Sequence, residues 1–252
     1  MLNTITHGEP TDKPGLLIVH GLYGSGRNWG VIAKRLSDAR QVVAVDMRNH
    51  GHSAWENSHT YHDLAGDLAE VLRGFDAPFD VLGHSMGGKA SMVLAVTEPS
   101  LVNRLIVADI APVAYTHTQM QYIEAMKAVD LTQVDKRSDA ENQLKSLVDI
   151  PALASFFTQS LDVPAKKWRL NLDVLAAEMP HILSFPELDG AYEGETLFLS
   201  GADSDYVQRE HRAEIKRLFA NAGYLSIKNA GHWLHAEQPR AFEQTLRAWL
   251  DR

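Results

Sequence analysis

The stretch Phe79-Asp80-Val81-Leu82-Gly83-His84-Ser85-Met86-Gly87-Gly88-Lys89-Ala90 decides the fold. It reads as a short apolar strand, then Gly-x-Ser-x-Gly, then a run of small residues and helix formers. That order is the signature of a nucleophile elbow, a serine on a tight strand-to-helix turn with its hydroxyl held clear of the backbone. The spacing has a steric reason. A serine in such a turn takes a strained conformation, and the residues two before and two after it lie where strand and helix nearly touch. Gly83 and Gly87 carry no Cβ to clash there. The first helical turn also aims unpaired N–H groups at a developing negative charge. Composition alone would place such a motif in roughly one chain in ten of this length. The apolar strand before it and the helical run after it argue against accident. Ser85 is the candidate nucleophile.

On either side of the elbow, the compact apolar runs at 15–19 and 103–109 read as buried strands, and 41–46, 195–201 and 223–227 read as further strands of the same sheet. Helical patterns at 28–36, 61–75, 89–96, 208–221 and 240–250 fall between and after them. Strands alternating with helices at this interval give a mostly parallel, twisted sheet with helices on both faces. With the elbow, the expectation is an α/β-hydrolase fold. From Ile110 to about Glu193 the rhythm breaks, and no strand-like run is visible. Helical patches at 120–129, 140–148, 152–161 and 168–177 are punctuated by Pro112, Pro151, Pro164, Pro180 and Pro186 as breakers. The expected organisation is a hydrolase core of residues 1–110 and 194–252 with a helical cap inserted at 111–193. In that cap Met120, Tyr122, Met126, Phe156, Phe157, Trp168 and Leu172 are divided between an acyl-pocket lining and the cap's own core.

Length and composition bound the rest. A chain of 252 residues, 45% hydrophobic and 22% charged, suits one large soluble domain. A net charge of −8 leaves no basic surplus to neutralise phosphates, which argues against nucleic acid as a partner. The absence of cysteine excludes a disulfide framework, a thiolate metal site and a cysteine nucleophile. Residues 1–10 lack the basic start and apolar core of a secretory signal, and the apolar runs are too short for a membrane span. A cytoplasmic location is the expectation.

A serine nucleophile needs a base, and the base needs an orienting acid, in the chain order Ser, acid, His. His232, in the Gly231-His232-Trp233 loop after the last strand, is the candidate base. His235 reads as a structural histidine. The usual position of the acid, Gly-x-x-Asp counted from Gly201, holds Ser204, with Asp203 and Asp205 beside it. Asp109 ends the strand next after the elbow strand, and neighbouring strands are about 4.8 Å apart. It also follows a fully apolar run, where a carboxylate needs a partner to offset desolvation. The residues favour Asp109, with Asp203 or Asp205 as the alternative. The loop His20-Gly21-Leu22-Tyr23-Gly24-Ser25-Gly26 lacks the spacing of a nucleotide-binding loop. It suits the second half of an oxyanion hole, with the Leu22 and Met86 N–H groups converging. His50, His52, His59 and His62 raise the question of a metal, but no carboxylate spacing completes a site, and a polar loop beside the active-site mouth is the expectation.

Five segments carry a resemblance: His20-Gly21-Leu22-Tyr23-Gly24, Asp46-Met47-Arg48-Asn49-His50-Gly51, Gly83 to Ala90, Asp109-Ile110-Ala111-Pro112-Val113 and Gly231-His232-Trp233-Leu234-His235-Ala236-Glu237. Together, and in this order over nearly the whole chain, they resemble the YbfF-type bacterial esterases. The resemblance implies a cofactor-free α/β-hydrolase with a four-helix cap, acting on esters and acyl-CoA thioesters. It also implies that the acid is the aspartate of Asp-Ile-Ala-Pro, which is Asp109 here, and that the Ser204 position is not acidic. The chain departs from the pattern around Asp203 and Asp205. The expected function is a serine carboxylesterase working through an acyl-enzyme on a small-molecule acyl ester, without metal or cofactor. A serine at position 85 argues against a dehalogenase or epoxide hydrolase, which need a carboxylate there. The alternatives are an acyl-CoA thioesterase and, from another class, a low-turnover ligand receptor on the same fold.

Overall fold

Alternate residues along the central strands face opposite sides of one sheet, so the apolar runs build two cores at once. In the computed structural model, which describes residues 1–252, Leu17, Val19, Val43, Val45, Val81, Leu105 and Val107 share one core. Their neighbours Leu16, Ile18, Val42, Ala44, Leu82, Ile106 and Ala108 share the other. The strands are β1 (Asn3–His7), β2 (Leu16–Val19), β3 (Val42–Asp46), β4 (Phe79–His84) and β5 (Val102–Ala108), and after an insert β8 (Thr196–Gly201) and β9 (Ala222–Ile227). They form a seven-stranded sheet in the order β1-β3-β2-β4-β5-β8-β9, parallel except for β1, which runs antiparallel to β3. β4 lies near the middle. Helices α2 (Tyr61–Leu72) and α3 (Met86–Thr97) cover the first core. Helices α1 (Gly30–Leu36) and α11 (Pro239–Leu250) cover the second. α3 is buried on every side, which suits its run of Gly, Ala, Met, Val and Leu.

β1, in the short N-terminal segment to which no element is assigned from the sequence, is an edge strand. Its residues alternate between half-buried and exposed, so it lacks the continuous apolar run of a central strand. The pattern at 208–221 resolves into a shorter α9 (Arg212–Leu218) before β9, and α10 (Leu234–Glu237) precedes α11.

The insert between β5 and β8 carries α4 (Met120–Ala128), α5 (Arg137–Leu144), α6 (Pro151–Thr158), a small hairpin of β6 (Leu161–Asp162) and β7 (Lys167–Trp168), then α7 (Leu172–Ala177) and α8 (Met179–Leu183). Two expectations are corrected here. The insert does hold strands, though of two residues each, too short for a periodic signal. It also holds five α-helices rather than four, α7 and α8 abutting at Glu178. Trp168 is a strand residue, and its indole N–H donates to Met126 O at 2.9 Å. Pro151 and Pro180 sit in the first turns of α6 and α8, where the missing N–H costs nothing, so they begin helices rather than break them. The insert packs into the same core as α2 and α3 and has no separate one.

At the end of β4 opposite the elbow serine, a charged cluster joins chain segments. Asp80, at the start of β4 and fully buried, accepts from Arg40 at 3.1 Å, from Arg104 at 2.7 and 3.0 Å, and from Asn103 at 2.7 Å. Both arginines also donate to Leu250 O at the end of α11. Removing one partner of such a cluster strands the others without compensation. Asp80→Ala is expected to destabilise the fold by about 3–5 kcal/mol, read from urea unfolding midpoints. A change within experimental error would show the cluster to be energetically neutral.

Candidate active site

The elbow takes the form that its glycines require. Ser85, between β4 and α3, has φ +52° and ψ −122°, a conformation costing on the order of 1–3 kcal/mol for a non-glycine residue. A Cβ at Gly83 would lie 2.4 Å from Gly87 O, and one at Gly87 would lie 2.4 Å from His20 O and 2.5 Å from Val19 O. Glycine is thus required on both sides of the serine. The Ser85 N–H donates to Ala108 O at 3.0 Å, and Ser85 O accepts from the Lys89 N–H at 3.0 Å, fixing the turn against β5 and α3.

Ser85 Oγ lies 3.0 Å from His232 Nε2, and His232 Nδ1 lies 2.8 Å from Asp109 Oδ2. The register of β4 on β5 pairs His84 with Ala108, so the two strands end side by side and Asp109 leaves β5 level with Ser85. Asp109 is fully buried, with φ +52°. Its Oδ1 accepts from the Gly201 N–H at 3.0 Å and its Oδ2 from the Ser204 hydroxyl at 2.5 Å. The residue that occupies the Gly-x-x-Asp position therefore donates to the carboxylate from the neighbouring strand. Asp203 and Asp205 are exposed and neither bonds His232. Two contacts absent from the sequence reading hold the imidazole. The Tyr206 ring stacks on it at 3.8 Å and 18°, and the His84 Nε2–H donates to His232 O at 2.8 Å. His235 stacks on Trp29 at 4.2 Å, and burial pushes its pKa down to about 3.

The Leu22 and Met86 N–H groups, the expected oxyanion donors, pair with no acceptor in the chain. The loop carrying Leu22 is braced from below. The Met47 N–H donates to His20 Nε2 at 3.0 Å, so His20 keeps its proton on Nδ1 and gives it to Gly21 O at 2.7 Å. The Tyr23 N–H donates to His50 Nε2 at 3.2 Å, and His50 Nδ1 faces Arg48 O at 2.9 Å in the same tautomer. His59 lies 3.3 Å from Met86 Sδ. These histidines were expected in a polar loop beside the mouth; His50 and His59 are instead buried beneath it, while His52 and His62 are exposed. Burial lowers the pKa of His20, His50 and His59, the last to about 3, so all three are neutral braces. Asp46 ties the loops together, accepting from the Gly26 N–H at 2.8 Å and the His52 N–H at 2.9 Å. A Cβ at Gly51, φ +57°, would strike that carboxylate at 2.3 Å.

A mostly hydrophobic cavity of about 300 Å³ opens at Ser85. Of the insert's apolar residues, Tyr122, Phe156 and Phe157 line it, whereas Met126, Trp168 and Leu172 are buried in the common core. Met120 lies on an outer groove. Lys89 also lines the cavity, a cation that reasoning from α3's small and apolar residues passed over. Burial lowers its pKa to about 7. The titratable groups facing it are Tyr61 of α2 and Tyr115 and His117 of the segment after β5. The unfolded lysine holds its proton up to its ordinary pKa near 10.4, and the folded one releases it near 7. Stability from this group is therefore fully present above the ordinary lysine range and falls as pH drops to about 7. The stability gained by Lys89→Met relative to wild type is expected to be greatest at pH 6 and to shrink toward pH 10. Denaturation midpoints at pH 6, 8 and 10 read it, and a pH-independent difference would refute it.

The fold agrees with what the chain matches. Residues 14–239 match the family model described as the alpha/beta hydrolase fold. The chain is 39% identical over 248 residues to the mouse sn-1-specific diacylglycerol lipase ABHD11, covering 94% of this chain and 81% of that one. It is 33% identical over 240 residues to the esterase YbfF of Escherichia coli, covering 94% and 92%. A solved marine microorganism esterase superposes with a TM-score of 0.92 at 35% identity, over 98% of each chain. No helix is long and apolar enough to cross a membrane. The elbow, the sheet order and the matches over nearly the full length agree: the chain is a hydrolase of the α/β-hydrolase family.

Proposed function

We propose that the protein is a serine carboxylesterase, with Ser85 as nucleophile, His232 as general base and acid, and Asp109 as the orienting carboxylate. The observation that carries this reading is the continuous Ser85–His232–Asp109 hydrogen-bonded chain opening on an apolar cavity. His232 Nε2 takes the hydroxyl proton as Ser85 Oγ attacks the ester carbonyl. The oxyanion is held by the Leu22 and Met86 N–H groups, and Asp109 stabilises the imidazolium. The imidazolium then protonates the leaving alcohol, the acyl–oxygen bond breaks, and Ser85 holds the acyl group. His232 next takes a proton from water, whose oxygen attacks the acyl carbonyl; the bond from the acyl carbon to Ser85 Oγ then breaks, the imidazolium returns its proton to Oγ, and the carboxylic acid is freed. No step calls for a metal or cofactor.

Residues 111–193 serve in this reading as a lid over a core of residues 1–110 and 194–252. Tyr122, Ile150, Leu153, Phe156 and Phe157 bring an apolar wall to the cavity, which suits an acyl chain. The names of the relatives, an esterase and a diacylglycerol lipase, support an ester as the substrate. The test is turnover of p-nitrophenyl esters from acetate to palmitate alongside acyl-CoA thioesters. Ester hydrolysis with an optimum at a defined chain length is expected. Turnover of thioesters alone would move the assignment to a thioesterase, and none by folded protein would move it to a ligand receptor.

A further inference from the structure

Lys89 lies one helical turn beyond Ser85, 1% exposed, and no carboxylate pairs with it. Its ammonium donates to Leu183 O at 3.1 Å and Ser184 O at 2.6 Å, and lies over the rings of Tyr115 at 4.8 Å and Tyr61 at 5.5 Å. The end of α8 leaves carbonyls without helical partners, and the core supplies them. The Tyr61 hydroxyl donates to Ile182 O at 2.6 Å, and Leu183 O also accepts from the Tyr115 N–H at 2.9 Å. Lys89 therefore meets the two connections of the insert where they touch, Tyr115 on the outgoing side and Leu183–Ser184 on the return. Those residues form a partition. Tyr115 and Leu183 line the cavity on one side and, on the other, a shallow outer groove with Ala114, Met120, Ala176 and Met179. An apolar side chain could fill the position of Lys89 without desolvating a charge. A lysine gains there because it reaches carbonyls on the far side of the partition.

We propose that Lys89 is a specificity-determining residue: it bolts the Tyr115–Leu183 partition shut and so limits the acyl length that the cavity admits. With the bolt withdrawn, the distal carbons of a longer acyl chain pass the partition and lie in the outer groove, which continues the cavity beyond it. The inference rests on the esterase reading for its substrate, while the bolt itself is a property of the fold.

The experiment compares wild type, Lys89→Ala and Tyr61→Phe on p-nitrophenyl butyrate and palmitate. The ratio of kcat/KM for palmitate over butyrate is expected to rise about tenfold or more in Lys89→Ala, through a lower KM for palmitate. In Tyr61→Phe, which loses one bond to the same helix end, it rises by less. An unchanged or lower ratio, or equal loss on both esters, would overturn the proposal. Should Lys89→Ala fail to fold, Tyr61→Phe decides by the direction of its ratio. Hydrogen exchange of the Tyr115 amide reads the partition without substrate. It is expected to quicken about tenfold in Lys89→Ala, and unchanged exchange would overturn the bolt. If wild type turns over no ester, the esterase reading falls and amide exchange alone decides.

Discussion

Ser85→Ala is expected to lower kcat on p-nitrophenyl butyrate by about 10⁶-fold, the scale seen when the serine of such a triad is removed. The loss belongs to chemistry rather than folding. The turn at Ser85 is held by backbone bonds to Ala108 and Lys89 and by the glycines at 83 and 87, all of which alanine leaves in place. The φ of +52° is as strained for alanine as for serine, so the melting temperature should stay close to that of wild type. Stopped assays on protein shown to be folded by circular dichroism check both statements. Substantial turnover in the variant would mean that another group attacks the ester.

The second large effect is at Asp109. Asp109→Asn is expected to lower kcat by about 10⁴-fold, because an amide beside Nδ1 permits the wrong imidazole tautomer and cannot stabilise the imidazolium. The Gly201 N–H and the Ser204 hydroxyl both donate to the Asp109 carboxylate, so the side chain stays in place and geometry is largely retained. Asp203→Asn and Asp205→Asn should leave rates near those of wild type, since neither carboxylate reaches His232. Loss of activity in either of those variants, with Asp109→Asn active, would transfer the role to the loop after β8. The three variants measured side by side on one ester separate these outcomes.

The parts of the fold legible in the sequence were those with a local signal. The continuous apolar runs of β2, β3, β4, β5 and β8 announce strands buried on both faces. The edge strand β1, the two-residue strands of the insert hairpin and the abutting helices α7 and α8 do not. Each of these takes its form from a neighbour rather than from its own periodicity. β1 is registered by β3, and β7 by β6 and by the bond from Trp168 to Met126. The buried histidines were misplaced for the same reason. Nothing local separates His50, sealed beneath the Leu22 loop, from His52, which is exposed.

By itself the sequence determined the elbow, the alternation that splits the sheet into two cores, and the loops that carry Ser85, Leu22 and His232. Each of those features carries its signal in a short stretch of residues, although the steric need for glycine at 87 comes from His20 O and Val19 O at the end of β2. Tertiary structure decided which carboxylate stands beside His232, why Ser204 rather than an acid fills the position after β8, and where the charges of Asp80 and Lys89 are met. Asp109 and His232 are 123 residues apart and Lys89 and Ser184 are 95 apart. Whether such groups meet depends on the register of β4, β5 and β8 and on where the insert returns to the sheet. No local pattern of residues encodes those distances.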